Sequence, residues 1–352
     1  MNIKEFAKLT GYSTATVSRV LNGKESVSEE AREKILKLQK KYKFYINKVG
    51  KALSTKRTDI IGVTLPQYNL PSFEDIFFPQ VIRGMEGILA RNGYNLLLLT
   101  SYEMGKKHND YIKFFKEKLI DGLIFLNVKK EDKGFIELEE TDYPYVAIGR
   151  ILENHKGSYV DTDNVRRTYI ATEHLIKEHK LKKVGYIGGE LKYLFNVDAY
   201  NGYKLALINN GIEINEKIVS TVPQKIEEGY RGMRKLIKEG IEGIIIFGNL
   251  ILQGAIRYIE EKNIKIPEDL KVIITAEFFP FFNSKIRFTQ VVQDVRGLGE
   301  MAANILLEEI KANRKLRKQI ILQPKFIKGN SCGCEIHFIR GNGNDLWLSS
   351  PV

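Results

Sequence analysis

Seven short apolar runs constrain this chain more than any other feature. They occupy residues 60–65, 94–99, 121–126, 145–148, 183–187, 243–247 and 271–275, as in the Ile-Ile-Gly-Val-Thr-Leu of the first and the Gly-Ile-Ile-Ile-Phe of the sixth. A strand wetted on one face alternates apolar and polar residues, whereas a continuous Val, Ile and Leu run is buried on both faces. Amphipathic helical stretches separate the runs, so the expected body is doubly wound α/β with parallel sheets covered on both sides. Sheets of this kind bind ligands beyond the carboxyl ends of their strands. Each run is too short to span a bilayer, which takes roughly 18 apolar residues, and no membrane association is expected. With 43% hydrophobic and 10% aromatic residues, the 352-residue chain is also far from a disordered composition.

The charge is concentrated ahead of the first run. The formal net charge is +12, and residues 1–60 carry 14 Lys or Arg against 6 Asp or Glu, a net of +8. The other 292 residues hold 41 against 37. A basic head on a nearly balanced body fits a polyanionic partner, because neutralising phosphates releases their condensed counterions. Within the head, Ile3, Phe6, Ala7 and Leu9 mark a short helix that Asn2 caps. Gly11 supplies a turn, and Ser13 caps a second helix running to about Leu21. Val17, Val20 and Leu21 form the apolar stripe of that helix, leaving Thr14, Ala15, Ser18 and Arg19 on its free side. A third helix starts after Ser28 and turns Ala31, Ile35, Leu38 and Tyr42 to one side. Two helices around a tight glycine turn, with a supporting third, predict a helix-turn-helix whose second helix is sized for the DNA major groove.

The segments 2–7, 13–22 (Ser-Thr-Ala-Thr-Val-Ser-Arg-Val-Leu-Asn), 27–28 and 31–34 resemble the LacI/GalR, or lactose-repressor-like, family of bacterial transcription regulators. The likeness extends to about residue 331. It implies a small all-α helix-turn-helix domain followed by an α/β periplasmic-binding-protein-like body of two doubly wound parallel-sheet subdomains. The implied limits are a head at 1–58, with a hinge helix at about 44–58, and an effector-binding and dimerisation body at 59–331. One subdomain is expected at about 60–160 plus 290–320, and the other at about 161–288, with a flexible tail at 332–352. Carried over residue by residue, Thr14 and Ala15 face base edges, Arg19 reaches a guanine, and Ser13, Thr16, Asn22 and Ser28 hold phosphates. In the hinge Asn47 also meets DNA, and Leu53 wedges into the minor groove. Ile46 and Gly50 depart from the family pattern there, which loosens the expected coupling. The partners implied are double-stranded DNA with a pseudo-palindromic operator, a second copy of the chain, and a small-molecule effector. A sugar or sugar derivative is the first reading for the effector. A nucleobase, another metabolite or a protein corepressor is the alternative, and a repressor in the cytoplasm is the expected biological setting.

The effector site departs most from the family. Ala199 stands where relatives have an arginine, residues 249–250 read Asn-Leu instead of Asn-Asp, and 274–277 read Ile-Thr-Ala-Glu before the aromatic run Phe278-Phe279-Pro280-Phe281-Phe282. The cleft candidates are Phe78, Asp163, Asn196, Asn249, Glu277 and Phe281. An α/β metabolic enzyme is the remote rival, but the chain has no phosphate-binding loop and no G-x-G-x-x-G, and no catalytic residue or cofactor is expected. Cys332 and Cys334 form a C-x-C pair without further ligands at zinc spacing. His337 alone does not complete a site, His108 and His155 lie far off, and His174 and His179 are five apart, which does not place both on one helix face. No metal is expected.

Overall fold

The computed structural model describes residues 1–21, 26–45, 57–65, 75–99, 110–126, 132–150, 155–276 and 286–335. The expected roles of Asn22, Asn47, Leu53, Glu277 and Phe281, and most of the hinge segment, fall outside them. The chain divides into two compact units, one of residues 1–60 with 113–121, the other of the remainder.

The head consists of α1 (Ile3–Thr10), α2 (Thr14–Leu21) and α3 (Glu29–Tyr42). Its helices start where their side chains satisfy free N–H groups. The Asn2 side chain accepts from the Glu5 N–H at 3.0 Å while the Glu5 carboxylate accepts from the Asn2 N–H at 2.9 Å, a reciprocal cap. Gly11 ends α1 with φ 77°, a left-handed value that costs glycine nothing. Phe6, Ala7, Val17, Val20, Ile35 and Phe44 form the core, with the Phe6 and Phe44 rings stacked at 4.2 Å. Leu9 and Tyr42, expected on the apolar faces, are exposed, and Thr10 is buried instead, its hydroxyl donating to the Ala7 carbonyl at 2.9 Å. A hydroxyl so satisfied costs little to bury.

Among the described residues the body holds two six-stranded sheets. The first comprises β1 (Ile60–Thr64), β2 (Asn95–Leu99), β3 (Gly122–Leu126), β4 (Tyr145–Ile148), β5 (Ser158–Thr162) and β11 (Gln319–Leu322), in the order β11-β5-β4-β3-β1-β2. The second comprises β6 (Val184–Gly189), β7 (Val219–Val222), β8 (Gly243–Phe247), β9 (Lys271–Thr275), β10 (Thr289–Val292) and β12 (Lys325–Ile327), in the order β12-β10-β9-β8-β6-β7. Its pairings are parallel except β10 with β12. Among the described residues, α4 (Phe77–Arg91), α5 (Tyr111–Lys116), α6 (Lys133–Glu139) and α11 (Val295–Ala312) belong with the first sheet's connections. The helices α7 (Asn164–Lys177), α8 (Leu194–Asn209), α9 (Ile226–Lys238) and α10 (Asn249–Glu261) belong with the second's.

All seven apolar runs lie on strands, and β8 shows why continuous runs were needed. Ile244 and Ile246 pack with Met233, Leu236 and Ile251 of α9 and α10, while Ile245 and Phe247 pack with Leu175, Ala199 and Tyr203 of α7 and α8. Successive side chains enter opposite cores, so no position of the strand tolerates a polar residue. The sheet assignments shift the expected boundaries. Strand β10 belongs to the second sheet, the chain crosses back to the first at Val295, and it returns to the second through β12. Nor is 332–352 wholly a tail, since Cys332 is fully buried in the second lobe's core. The connecting residues Gln293, Asp294, Gln323 and Pro324 are polar or turn-forming, and the destination of the strands they join is set by pairing partners distant in sequence rather than by periodicity.

Candidate functional site

In the head, the exposed face of α2 is the chemical surface. The Ser13 hydroxyl accepts from the Thr16 N–H at 3.1 Å and lies 2.9 Å from the Thr16 hydroxyl, which starts the helix and fixes both groups at its N-terminus. Thr14, Ala15 and Arg19 are exposed, Thr16 and Ser18 half-buried, and Val17 and Val20 buried. Thr14, Ala15 and Arg19 are thus on the free side as expected and Val17 and Val20 in the stripe, while Ser18 and Leu21 lie between the two. Ser28 accepts from the Ala31 N–H at 3.4 Å and caps α3. The structure thus gives Ser13, Thr16 and Ser28 capping work, and leaves Ser13 and Ser28 exposed. A helix N-terminus with exposed hydroxyls suits a phosphate, and an arginine one turn on suits the O6 and N7 of guanine.

In the body, two polar links join the lobes at the carboxyl ends of the strands. Arg150, just beyond β4, donates to Asp198 of α8 at 2.6 Å. Asn249, at the start of α10, donates through Nδ2 to Asp75 at 2.6 Å. Behind the first link, Asp161 of β5 accepts from the backbone N–H groups of Arg150 (2.9 Å) and Thr162 (2.7 Å). Burial, with Asp198 nearby, pushes the Asp161 carboxyl up to about 6, against the pull of those N–H groups and Arg150. Guanidinium, carboxylates and carboxamide offer donors and acceptors in the fixed pattern that hydroxyl-bearing ligands require.

The sequence candidates fare unequally. Asn249 is in the inter-lobe link. Phe78 is 6% exposed and packs in the first lobe's core, edge-on to Phe77 at 5.3 Å. Asp163 accepts from the Arg166 N–H at 2.8 Å and caps α7. Asn196 is fully buried and donates to the Glu190 carbonyl at 2.9 Å, while its Oδ1 has no hydrogen-bond partner among the described residues. Ala199 stands where relatives have an arginine. Ala199 is instead core, its neighbour Asp198 faces the cleft, and Arg150 brings the guanidinium from the other lobe. Sequence reasoning missed Asp75, Arg150, Asp161 and Asp198. The available signal was that Arg150 and Asp161 sit at or just past the carboxyl ends of apolar strands.

The spacing argument against a histidine and cysteine cluster also fails. Helix α7 ends at Lys177, between His174 and His179, so the chain turns and the two imidazoles meet with ring centroids 5.2 Å apart. Cys334 Sγ lies 3.4 Å from Nε2 of both, and Cys332 Sγ lies 3.6 Å from Nε2 of His174. Burial, with His179 beside it, pulls His174 down to about 4; burial also lowers His179 and raises the Cys334 thiol.

Comparison with known proteins follows the same two parts. Residues 2–47 match the family described as bacterial regulatory proteins, lacI family, and residues 172–332 match a periplasmic binding protein-like domain. The HTH-type transcriptional regulator RegA of Clostridium acetobutylicum is 30% identical over 338 residues, covering 94% of this chain and 99% of that protein. A solved complex of the transcriptional regulator CelR with cellobiose is 25% identical, with a TM-score of 0.71 over 94% of this chain and 99% of the other. The lac repressor dimer bound to operator, 19% identical, shares the fold with a TM-score of 0.79 over 94% of this chain and 99% of the other.

Proposed function

This chain belongs to the lacI family of bacterial transcription regulators, and from that premise we propose that it acts as a homodimeric repressor of a pseudo-palindromic operator, released or engaged by a carbohydrate held between its lobes. That it is a DNA-binding regulator follows from the family; the reading residues, the dimer and the effector are our assignment. One observation carries the DNA half: Thr14, Ala15 and Arg19 stand exposed on a helix whose other face is core. Arg19 reads a guanine through its two-pronged donor set, while Thr14 and Ala15 discriminate thymine by methyl contact, since they offer few hydrogen bonds. Ser13, Thr16 and Ser28 keep their capping bonds and turn remaining lone pairs or protons to phosphates. Two heads related by dimer symmetry engage half-sites one helical turn apart or a multiple of it.

The effector half rests on Arg150–Asp198 and Asp75–Asn249. A polyhydroxylated ligand exchanges these inter-lobe bonds for bonds to itself: hydroxyl protons go to the carboxylates, and Arg150 and Asn249 donate to hydroxyl oxygens. A ligand with unequal affinity for two lobe arrangements shifts their populations, and through them the spacing of the heads. The cellobiose held by the related CelR favours a saccharide over a nucleobase.

The test is an anisotropy titration of the full chain on the operator selected from a random duplex pool. Arg19→Ala is expected to weaken binding by about 1–3 kcal/mol and to relax preference at one base pair per half-site. Equal affinity and equal selectivity in the variant would remove Arg19 from the reading role.

A further inference from the structure

The histidine and cysteine cluster has no part in reading DNA or in the cleft between the lobes. It lies in the second lobe, where the segment after β12 meets the end of α7. Ser331 pins that segment: its carbonyl accepts from the Val272 N–H at 2.8 Å, and its hydroxyl donates to the Val272 carbonyl at 2.6 Å and accepts from the Thr289 N–H at 2.8 Å. Gly333 then adopts φ 89°, and its N–H closes a turn on the Asn330 carbonyl at 2.9 Å. Across that turn both sulfurs reach the same imidazole, Cys332 Sγ at 3.6 Å and Cys334 Sγ at 3.4 Å from His174 Nε2. They point at Nε2 of His174 and His179, and all four donor atoms lie within 4.8 Å of one another.

We propose that His174, His179, Cys332 and Cys334 form a tetrahedral structural zinc site that fastens the chain's last described turn to helix α7. Zn–S bonds near 2.3 Å and Zn–N bonds near 2.0–2.1 Å at tetrahedral angles set sulfur and nitrogen about 3.5 Å apart. The three sulfur–nitrogen separations are 3.4, 3.4 and 3.6 Å. One sulfur equally close to two imidazole nitrogens, with a second sulfur on one of them, is the clustering that a shared ion produces. Two thiolates and two neutral imidazoles select zinc over magnesium or calcium, which take oxygen ligands. Binding releases two thiol protons to solvent and leaves an electroneutral unit, which lowers the cost of burying the ion beside Lys271 and Lys328. Four protein ligands leave no open position, so the site is structural and not catalytic.

The experiment uses the full chain without a histidine tag, purified from zinc-supplemented medium under reducing conditions. Elemental analysis is expected to find one zinc per chain, and cobalt exchanged into the site is expected to give the visible bands of a tetrahedral ion with thiolate charge transfer. Cys334→Ser and His179→Gln, both at partly exposed positions, are expected to lose the metal and the spectrum while keeping operator binding at saturating protein. Chelation of the wild type is expected to lower its Tm and leave the Tm of the variants unmoved. Folded wild type with less than about a tenth of an equivalent of zinc and no tetrahedral cobalt spectrum would overturn the site. So would zinc retained by both variants, or a mass two protons lighter that marks a Cys332–Cys334 disulfide in place of the metal.

Discussion

Asp161 shows how much one buried carboxyl decides. Burial raises its folded pKa to about 6, above the ordinary 3.8. Between those values the folded chain holds more protons than the unfolded one, so the residue withdraws stability as pH rises through the window. That loss is complete above about pH 6, on the order of 3 kcal/mol. Asp161→Asn keeps one acceptor for the two N–H groups and removes the titration. Urea unfolding at about pH 4 and pH 7 is therefore expected to show a smaller fall in stability for the variant than for the wild type over this range. Equal falls would mean that Asp161 does not carry the proton. The same carboxylate orders the Arg150 backbone, so its cost in stability is tied to the cleft it supports. This trade of stability for a polar site is common where ligands bind.

At the scale of elements, the helix pairs close through glycines. A Cβ on Gly254 of α10 would overlap the Ile226 carbonyl oxygen of α9, and one on Gly229 of α9 would overlap the Ile251 carbonyl of α10. The obstacle is backbone, which cannot rotate aside, so the helices must separate and lose contact along their length. Gly254→Ala is expected to destabilise the body by about 1–3 kcal/mol despite its better helix propensity, as read by denaturant midpoint. A neutral or stabilising effect would show that propensity outweighs the close approach. Most elements were legible beforehand: the three head helices, their caps at Asn2, Ser13 and Ser28, and seven strands. Strands β5, β7, β10, β11 and β12 were not, because they are short, partly polar or at sheet edges, where pairing and not periodicity makes the strand. The two histidines and two cysteines of the cluster were likewise judged by spacing, yet the helix end at Lys177, between His174 and His179, changed what that spacing means.

For the whole molecule, the proposal couples a cleft to a reading head, and linkage makes the coupling reciprocal: a saccharide that changes operator affinity by some factor has its own affinity changed by operator to the same extent. Calorimetry with a panel of mono- and disaccharides, with and without operator, is expected to find one such ligand. Arg150→Ala is expected to weaken it about tenfold or more. A saccharide bound equally well by the variant would move the site elsewhere. The sequence by itself determined the two-part plan, the exposed face of α2 and the parallel body. These follow from capping, turn chemistry, charge and apolar patterning, forces that act over a few neighbouring residues. Only the tertiary structure decided what meets across the cleft and at the C-terminal turn. Arg150 is 48 residues from Asp198, Asn249 is 174 from Asp75, and Cys332 is 158 from His174; contacts at such separations are created by topology, and no local preference encodes them.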